Sequence, residues 1–105
     1  MEFKKVQKEC VRNMIRYGKE FDICIDKDYA LLKLYEEVGE FTQSILIHRK
    51  KSRPEKFLPE EESKKEVAKE LADVVGFALL NAELLDIDLV KALEEKGWFN
   101  GDGSL

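Results

Sequence analysis

The chain has 105 residues, of which 44% are hydrophobic and 38% are charged, and its formal net charge is −4. This length fits one domain, because a second independent core would be too small to be stable. The hydrophobic share is too high for a disordered acidic chain. With 22 acidic against 18 basic residues there is no basic footprint, so a nucleic acid is not an expected partner.

The sequence also gives no reason to expect a membrane as a partner. The longest apolar stretch, Val74 to Leu80, is far shorter than the roughly 20 residues that a bilayer crossing needs. The first residues, MEFKKVQKECVRN, contain no apolar signal-peptide core. We therefore expect a cytoplasmic protein.

The pattern of the whole chain is helical. Leu, Glu, Lys and Ala recur at helical spacing, and no run of alternating β-branched residues occurs. The sequence therefore predicts an all-α domain. The first helix is predicted from about Phe3 to Tyr17, with Gly18 as its stop signal. Asp26 or Asp28 is expected to cap the second helix.

Both prolines of the chain fall in its middle, where the helical pattern is interrupted. The second helix is expected to reach about Lys50, and residues 51–62 are predicted to form a loop. Ser63 and Glu66 form a capping box for a third helix that ends near Asp86. A short fourth helix follows.

The fourth helix is predicted to begin at a cap supplied by Asp86 or Asp88 and to stop at Gly97. These elements indicate one four-helix-bundle-like domain over residues 1–105, with residues 101–105 as a frayed tail.

A core of this size is marginal, so we expect the bundle to be completed by a second copy of the chain. The expected assembly is a homodimer or a homotetramer. Trp98, Phe99 and the apolar stripe of the first helix are the expected contacts between copies. This stripe consists of Phe3, Val6, Cys10, Met14 and Tyr17.

Four acidic residues form two pairs, each with the three-residue spacing that places both members on one helix face. The pair on the second helix is Glu37 and Glu40, and the pair on the third is Glu70 and Asp73. Such pairs are common in so acidic a chain, so the inference depends on their placement. From Val74 onward the third helix is apolar almost all round, and its two acids continue the line of its core residues.

On the second helix the acids lie beside the apolar face. Glu37 is expected at the margin of that face, and Glu40 is expected further out on the same side. The face is predicted to consist of Leu34, Val38, Phe41 and Ile45.

Four ionised carboxylates brought together at the edge of a core repel one another and are costly to bury. Raised pKa values or bound cations would relieve this cost. Because carboxylate oxygens are hard ligands, Mg²⁺ or Mn²⁺ is favoured over Zn²⁺. The alternative interpretation is that all four are solvated surface acids near the core edge.

The stretches LLKLYEEVGEF and KKEVAKELADVVGF carry two acidic elements in a fixed order. With their apolar flanks they resemble the signature of the MazG-like, all-α nucleoside triphosphate pyrophosphohydrolases. The resemblance covers residues 31–100 and implies hydrolysis of a nucleoside triphosphate, with a ribose or deoxyribose sugar, to a monophosphate and pyrophosphate. Housecleaning of nucleotide pools is one use of this reaction. The EExxE element is Glu36, Glu37 and Glu40, and the ExxD element is Glu70 and Asp73.

The resemblance implies a role for each acidic residue of the two elements. Glu37, Glu40, Glu70 and Asp73 would ligate Mg²⁺, for which Mn²⁺ can substitute. Glu36 or Glu37 would be the catalytic carboxylate that orients or deprotonates the attacking water.

Three further residues are predicted to bind substrate. In a related branch of the family a Lys and an Asn four residues apart contact the substrate, and Lys96 and Asn100 have that spacing. For Lys96 the alternative is a cation placed favourably at a helix C-terminus. Asn81, inside an apolar run, is suited to bind a sugar or base, and equally to hydrogen-bond across a core or a dimer interface.

Two other functions are compatible with the sequence. A phosphoribosyl-ATP pyrophosphohydrolase-like enzyme has a similar helical acidic pattern, although no clear His follows the DVV segment here. A non-enzymatic helical dimerisation or regulatory module could retain the acidic motif without activity. The chain lacks a GxxxxGK[ST] element, so a metal must bind the phosphates. We interpret His48 as the partner of an acid or of the next chain.

Overall fold

A computed structural model describes residues 2–101, which contain four α-helices, one short 3₁₀ segment and no strand. The predicted all-α class is thereby confirmed. Within these residues, none of the helices combines the length and the apolar character that a bilayer crossing demands. Of the predicted tail, residues 102–105 lie outside the described residues. The helices are α1 (Glu2–Glu20), α2 (Lys27–His48), α3 (Glu60–Leu84) and α4 (Leu89–Lys96), and the 3₁₀ segment is Pro54–Lys56.

The caps of α2 and α4 agree with the sequence. Asp26 caps α2, where its side chain accepts a hydrogen bond from the backbone N–H of Tyr29 at 2.9 Å. Asp88 caps α4 in the same way, accepting from the backbone N–H of Lys91 at 3.1 Å. Gly97 follows α4 with a φ of 83°, the left-handed conformation that suits glycine at a helix end.

The predicted end of α1 is wrong. Gly18 does not stop the helix, which continues to Glu20. A Cβ at Gly18 would overlap the side chain of Ile25 and would lie 2.8 Å from the carbonyl oxygen of Ile23. The glycine is therefore required by the close packing of the α1–α2 connector against α1.

The predicted start of α3 is also wrong, because residues 60–62 of the expected loop are helical. Pro59 occupies the cap position, and three glutamates in the first turn complement the helix dipole. Ser63 lies within the first turn, where its hydroxyl donates to the carbonyl oxygen of Glu60 at 2.9 Å. The same hydroxyl contacts Nδ1 of His48 at 2.7 Å, so the partner of this histidine is a serine and not an acid.

Helices α2 and α3 pack against each other in antiparallel orientation. At one end the side-chain amide of Asn81 donates to the carbonyl oxygen of Ala30 at 2.8 Å. At the other end His48 contacts Ser63. The residue numbers of the two pairs add to the same total, so one register holds along the helix pair. This register places the two acidic elements opposite each other.

The core lies where α1 packs onto the α2–α3 pair. Val11 of α1, Ala30 of α2 and Leu80 of α3 form its buried centre. The molecule measures 44 × 44 × 20 Å, and its radius of gyration is 16.3 Å. A compact domain of this length has a radius of about 13 Å. The described chain is therefore flat, and much apolar surface stays exposed.

Candidate metal centre

The most buried residues of α2 are Ala30, Glu37 and Ser44, which follow one another at seven-residue spacing. Glu37 is only 6% exposed, whereas Val38, which was predicted to face the core, is 45% exposed. The predicted position of the buried face is therefore wrong by part of a turn. Glu37 lies in the middle of that face and not at its margin.

Three of the four predicted metal ligands meet between α2 and α3. Glu37, Glu70 and Asp73 each offer a carboxylate oxygen, and these atoms all lie within 4.8 Å of one another. Glu37 is buried, Glu70 is half-buried and Asp73 is exposed, so the group is open to solvent on one side. The fourth predicted ligand, Glu40, is exposed at the edge of this group.

The acidic group carries a strong electrostatic conflict. Burial raises the pKa of Glu37 to about 7, and the adjacent Glu40 carboxyl adds to this shift. Burial also raises the pKa of Glu70, with repulsion from Glu40 and Asp73 as further causes. The charged forms that a cation would stabilise are therefore disfavoured by the protein alone.

Two oxygen atoms of the acidic group have no hydrogen-bond partner among the described residues. They are Oε2 of Glu37 and Oε2 of Glu70, and both atoms are buried. Buried polar atoms in proteins nearly always have a partner, and an exception calls for an explanation such as a bound ion. Carboxylate oxygens converging on one space fit the ligand preference of Mg²⁺ or Mn²⁺.

Lys33 neutralises part of this negative charge. Its Nζ lies 2.5 Å from Oε1 of Glu36 and 3.5 Å from Oε1 of Glu37. The hydrogen bond to Glu36 raises the pKa of Lys33. Glu36, one of the two predicted catalytic carboxylates, is thus paired with a lysine at the rim. Lys33 was not predicted as a site residue, although its spacing of four residues from Glu37 is a recognisable signal.

The acidic group lies between two clefts. The larger has a volume of about 490 Å³ and is formed by α1, α2 and α3. A smaller cleft of about 380 Å³ lies between α2, α3 and their connector, and it is bordered by Glu40 and Glu70. The larger volume lies within the range of small-molecule sites. Its lining includes Asn13, Tyr17, Tyr29, Lys33, Glu37, Asp73 and Phe77.

The residues predicted to bind substrate lie elsewhere in this chain. The amide nitrogen of Asn81 donates to the carbonyl oxygens of Ala30 and Phe77, at 2.8 and 2.7 Å, and thereby links α3 to α2. Lys96 ends α4, where a cation is favourable, and both Lys96 and Asn100 are exposed. Neither residue is among those that line the two clefts in the described chain. Their contact with substrate stays a prediction.

No protein-family model, curated protein or solved structure matches this chain. The function is therefore argued from the chemistry of the site. A group of carboxylates with unpartnered oxygens can hold a divalent cation, and the adjoining cleft offers space for a small molecule. The cleft also contains a lysine and aromatic rings, which can contact an anionic group and a flat ring once a cation offsets the acidic charge.

Proposed function

We propose that the chain is a Mg²⁺-dependent nucleoside triphosphate pyrophosphohydrolase, which converts a nucleoside triphosphate and water to a nucleoside monophosphate and pyrophosphate. The observation that carries the proposal is the pair of buried, unpartnered oxygens of Glu37 and Glu70 beside Asp73. The resemblance of the acidic elements to the MazG-like enzymes suggests the reaction.

Glu37, Glu70 and Asp73 are the residues that would hold the cation, with Glu40 at the edge of the group. When bound, Mg²⁺ polarises the phosphate oxygens and lowers the pKa of a coordinated water. The protein supplies the rest by position. It fixes the carboxylates on two packed helices and leaves the side of Asp73 open to solvent, where a triphosphate can enter.

The second task of the protein is to accept a proton. Water attacks the phosphorus next to the nucleoside, the bond to the β-phosphate breaks, and the proton of the water goes to a carboxylate oxygen. Glu36 and Glu37 are the candidate acceptors, because Glu36 lies at the rim, where Lys33 holds its side chain in place, and Glu37 lies within the acidic group itself. A general base must lie within hydrogen-bond reach of the proton that it removes.

Release of pyrophosphate from a panel of nucleoside triphosphates in Mg²⁺ tests the proposal. We expect activity in the wild type and a loss of at least about 100-fold in Glu40→Gln and Asp73→Asn, because each removes a charge from the site. Glu9→Gln, which removes the charge of an exposed acid on α1, is the matched control. Absence of release from every nucleotide, or full activity of both site variants, would refute the proposal.

Mg²⁺ binding separates the enzyme from a non-enzymatic helical module. A cation that binds only the folded state, and is present at a concentration 100 times its Kd, stabilises a protein by about 2.7 kcal/mol. We expect such a gain for the wild type in thermal unfolding and none for Asp73→Asn. A module that has merely kept the acidic motif would show no Mg²⁺-dependent gain.

We further infer that a second copy of the chain covers the apolar side of the α2–α3 pair that faces away from α1. The thickness of 20 Å corresponds to two layers of helices, and a second copy would add the layers that a four-helix bundle needs. Large exposed apolar patches mark such contacts. We call this side the open face, and it consists of Leu31, Tyr35, Val38, Leu71 and Val75.

A further inference from the structure

The larger cleft beside the acidic group is lined by one positively charged side chain. Among the described residues that line it, Lys33 is the only basic side chain. The other charged residues there are Glu37 and Asp73, two of the three acids that lie within 4.8 Å of one another. A nucleotide entering the cleft therefore meets one ammonium group next to the acidic group.

Contacts from two sides fix the position of Lys33. Its Nζ contacts Glu36 and Glu37, and it lies 5.6 Å from the centre of the Phe77 ring. The side chain is 30% exposed, so the ammonium group stays reachable from the cleft. Two carboxylates use at most two of its three N–H donors, which leaves a donor for a ligand.

The ion pair between Lys33 and Glu37 weakens when that carboxylate holds a cation. Glu37 can then give less of its charge to Lys33, whose partner becomes the half-exposed Glu36 alone. A phosphate oxygen next to the acidic group would supply the missing negative charge. Charge-assisted hydrogen bonds of this kind are among the strongest in proteins.

We propose that Lys33 is a substrate-binding residue whose ammonium group contacts the phosphate between the bound cation and the cleft. This inference rests on the proposed function. It assigns the phosphate nearest the nucleoside to Lys33 and the outer phosphates to the acidic side of the site. The aromatic rings of Tyr29 and Phe77, which both line the cleft, then lie on the nucleoside side.

Binding of a non-hydrolysable nucleoside triphosphate analogue, measured by calorimetry in Mn²⁺, tests the inference without turnover. For Lys33→Met we expect the Kd of the analogue to rise about 10- to 100-fold, the usual value of one hydrogen bond to a charged group. Lys33→Arg should recover most of this loss. Methionine keeps an unbranched chain over Phe77, which preserves the packing.

Two further measurements separate substrate binding from a structural role. Without nucleotide, the Kd of Lys33→Met for Mn²⁺ should be no higher than that of the wild type, because a competing cation is gone. Lys4→Met, which removes an equal charge from an exposed pair with Asp88, should bind the analogue as the wild type does. The opposite responses of metal and nucleotide would exclude a general loss of structure.

Unchanged analogue affinity in Lys33→Met, or an equal loss in Lys4→Met, would overturn the inference. If the wild type releases pyrophosphate while either of these results is found, the proposed function stands and only the role of Lys33 fails. If the wild type neither binds the analogue nor releases pyrophosphate, both fail together. The two failures are therefore distinguishable.

Discussion

Glu37 occupies a helix position that packing alone would give to an apolar residue. The other buried residues of this face, Ala30 and Ser44, lie two helical turns away on either side. At Glu37 itself a carboxyl group is buried between α2 and α3, and this burial raises its pKa. The position is therefore maintained at the expense of stability, as is common where a site and a core coincide.

The raised pKa of Glu37 makes the stability of the cation-free protein depend on pH. The folded protein holds this proton up to about pH 7, whereas the unfolded chain releases it near the ordinary value of 4.5. Between these values the folded state binds more protons, so stability falls as the pH rises. From pH 5 to pH 8 in EDTA we expect a fall of up to about 3 kcal/mol, measured by urea unfolding.

Glu37→Gln serves as the comparison, because glutamine keeps the shape but does not titrate. Its stability should vary less with pH and should exceed that of the wild type at pH 8. Glu9→Gln should retain the full pH dependence. A wild type that gains stability between pH 5 and pH 8 in EDTA would contradict the burial of this carboxyl.

Asn81 tests whether a polar residue in an apolar helix serves structure or substrate. Its amide nitrogen donates to the carbonyl oxygen of the fully buried Ala30, so Asn81→Ala removes a hydrogen bond that links α3 to α2. We expect a loss of about 0.5–1.5 kcal/mol in urea unfolding and an unchanged KM. A raised KM with unchanged stability would instead place Asn81 at the substrate.

The sequence located some site residues better than others. Glu70 and Asp73 lie together at the edge of the core, as expected, because they continue the line of the core residues Phe77 and Leu80. Glu37 was placed at a margin, since periodicity weighs apolar residues and its burial depends on a partner helix. Lys33 was missed because its spacing from Glu37 predicts only an ion pair, whereas its place beside the cleft depends on the contact with Phe77 of another helix.

Replacing either of two helical glycines by alanine should change the stability of the protein in opposite directions. At Gly18 a Cβ would lie 2.8 Å from the backbone of the connector, so Gly18→Ala should destabilise the protein by about 1–3 kcal/mol. At Gly39 a Cβ meets no atom within 4 Å, so Gly39→Ala should stabilise α2 by about 0.5–1 kcal/mol. Thermal unfolding of both variants checks this pair, and a shift in the same direction would contradict it.

Helix boundaries were predictable where the signal is local. Asp88 and Gly97 determine the ends of α4 through their own backbone contacts, and the sequence located both. The start of α3 was misplaced because the Ser63–Glu66 spacing imitates a capping box. The hydroxyl of Ser63 is instead used by the carbonyl oxygen of Glu60 and by His48, and the latter contact requires the folded helix pair.

At the scale of the whole molecule, the flat shape predicts association through the open face. Leu31 and Val75 are 59% and 51% exposed, and a charge there would have to be buried between copies. We expect light scattering at micromolar concentration to show a dimer or tetramer for the wild type and a monomer for Leu31→Glu with Val75→Glu.

Val6 is the matched control, because it is 52% exposed on the α1 stripe that the sequence offered as a contact. Val6→Glu should leave the assembly intact if the open face is the interface. Dissociation of Val6→Glu alone would move the interface to α1. A monomeric wild type would refute both versions.

The fold class followed from the sequence because helical periodicity is a property of each segment by itself. The arrangement in two layers did not follow, since it depends on which apolar stripe meets which. For α1 the sequence stripe ran from Phe3 to Tyr17 and omitted Val11, the one apolar side chain of this helix that is buried. Side chains that line a cleft or an exposed face look like core residues in a sequence.

The contact between His48 and Ser63 joins the chain where it leaves α2 to the chain where it returns in α3. The segment between them therefore does not set the register of the two helices. Lengthening a closed loop is inexpensive, since each doubling costs only about 0.6 kcal/mol in closure entropy. Residues can therefore be inserted here while the acidic group is kept. This segment is also the natural insertion point for a reporter or an affinity tag.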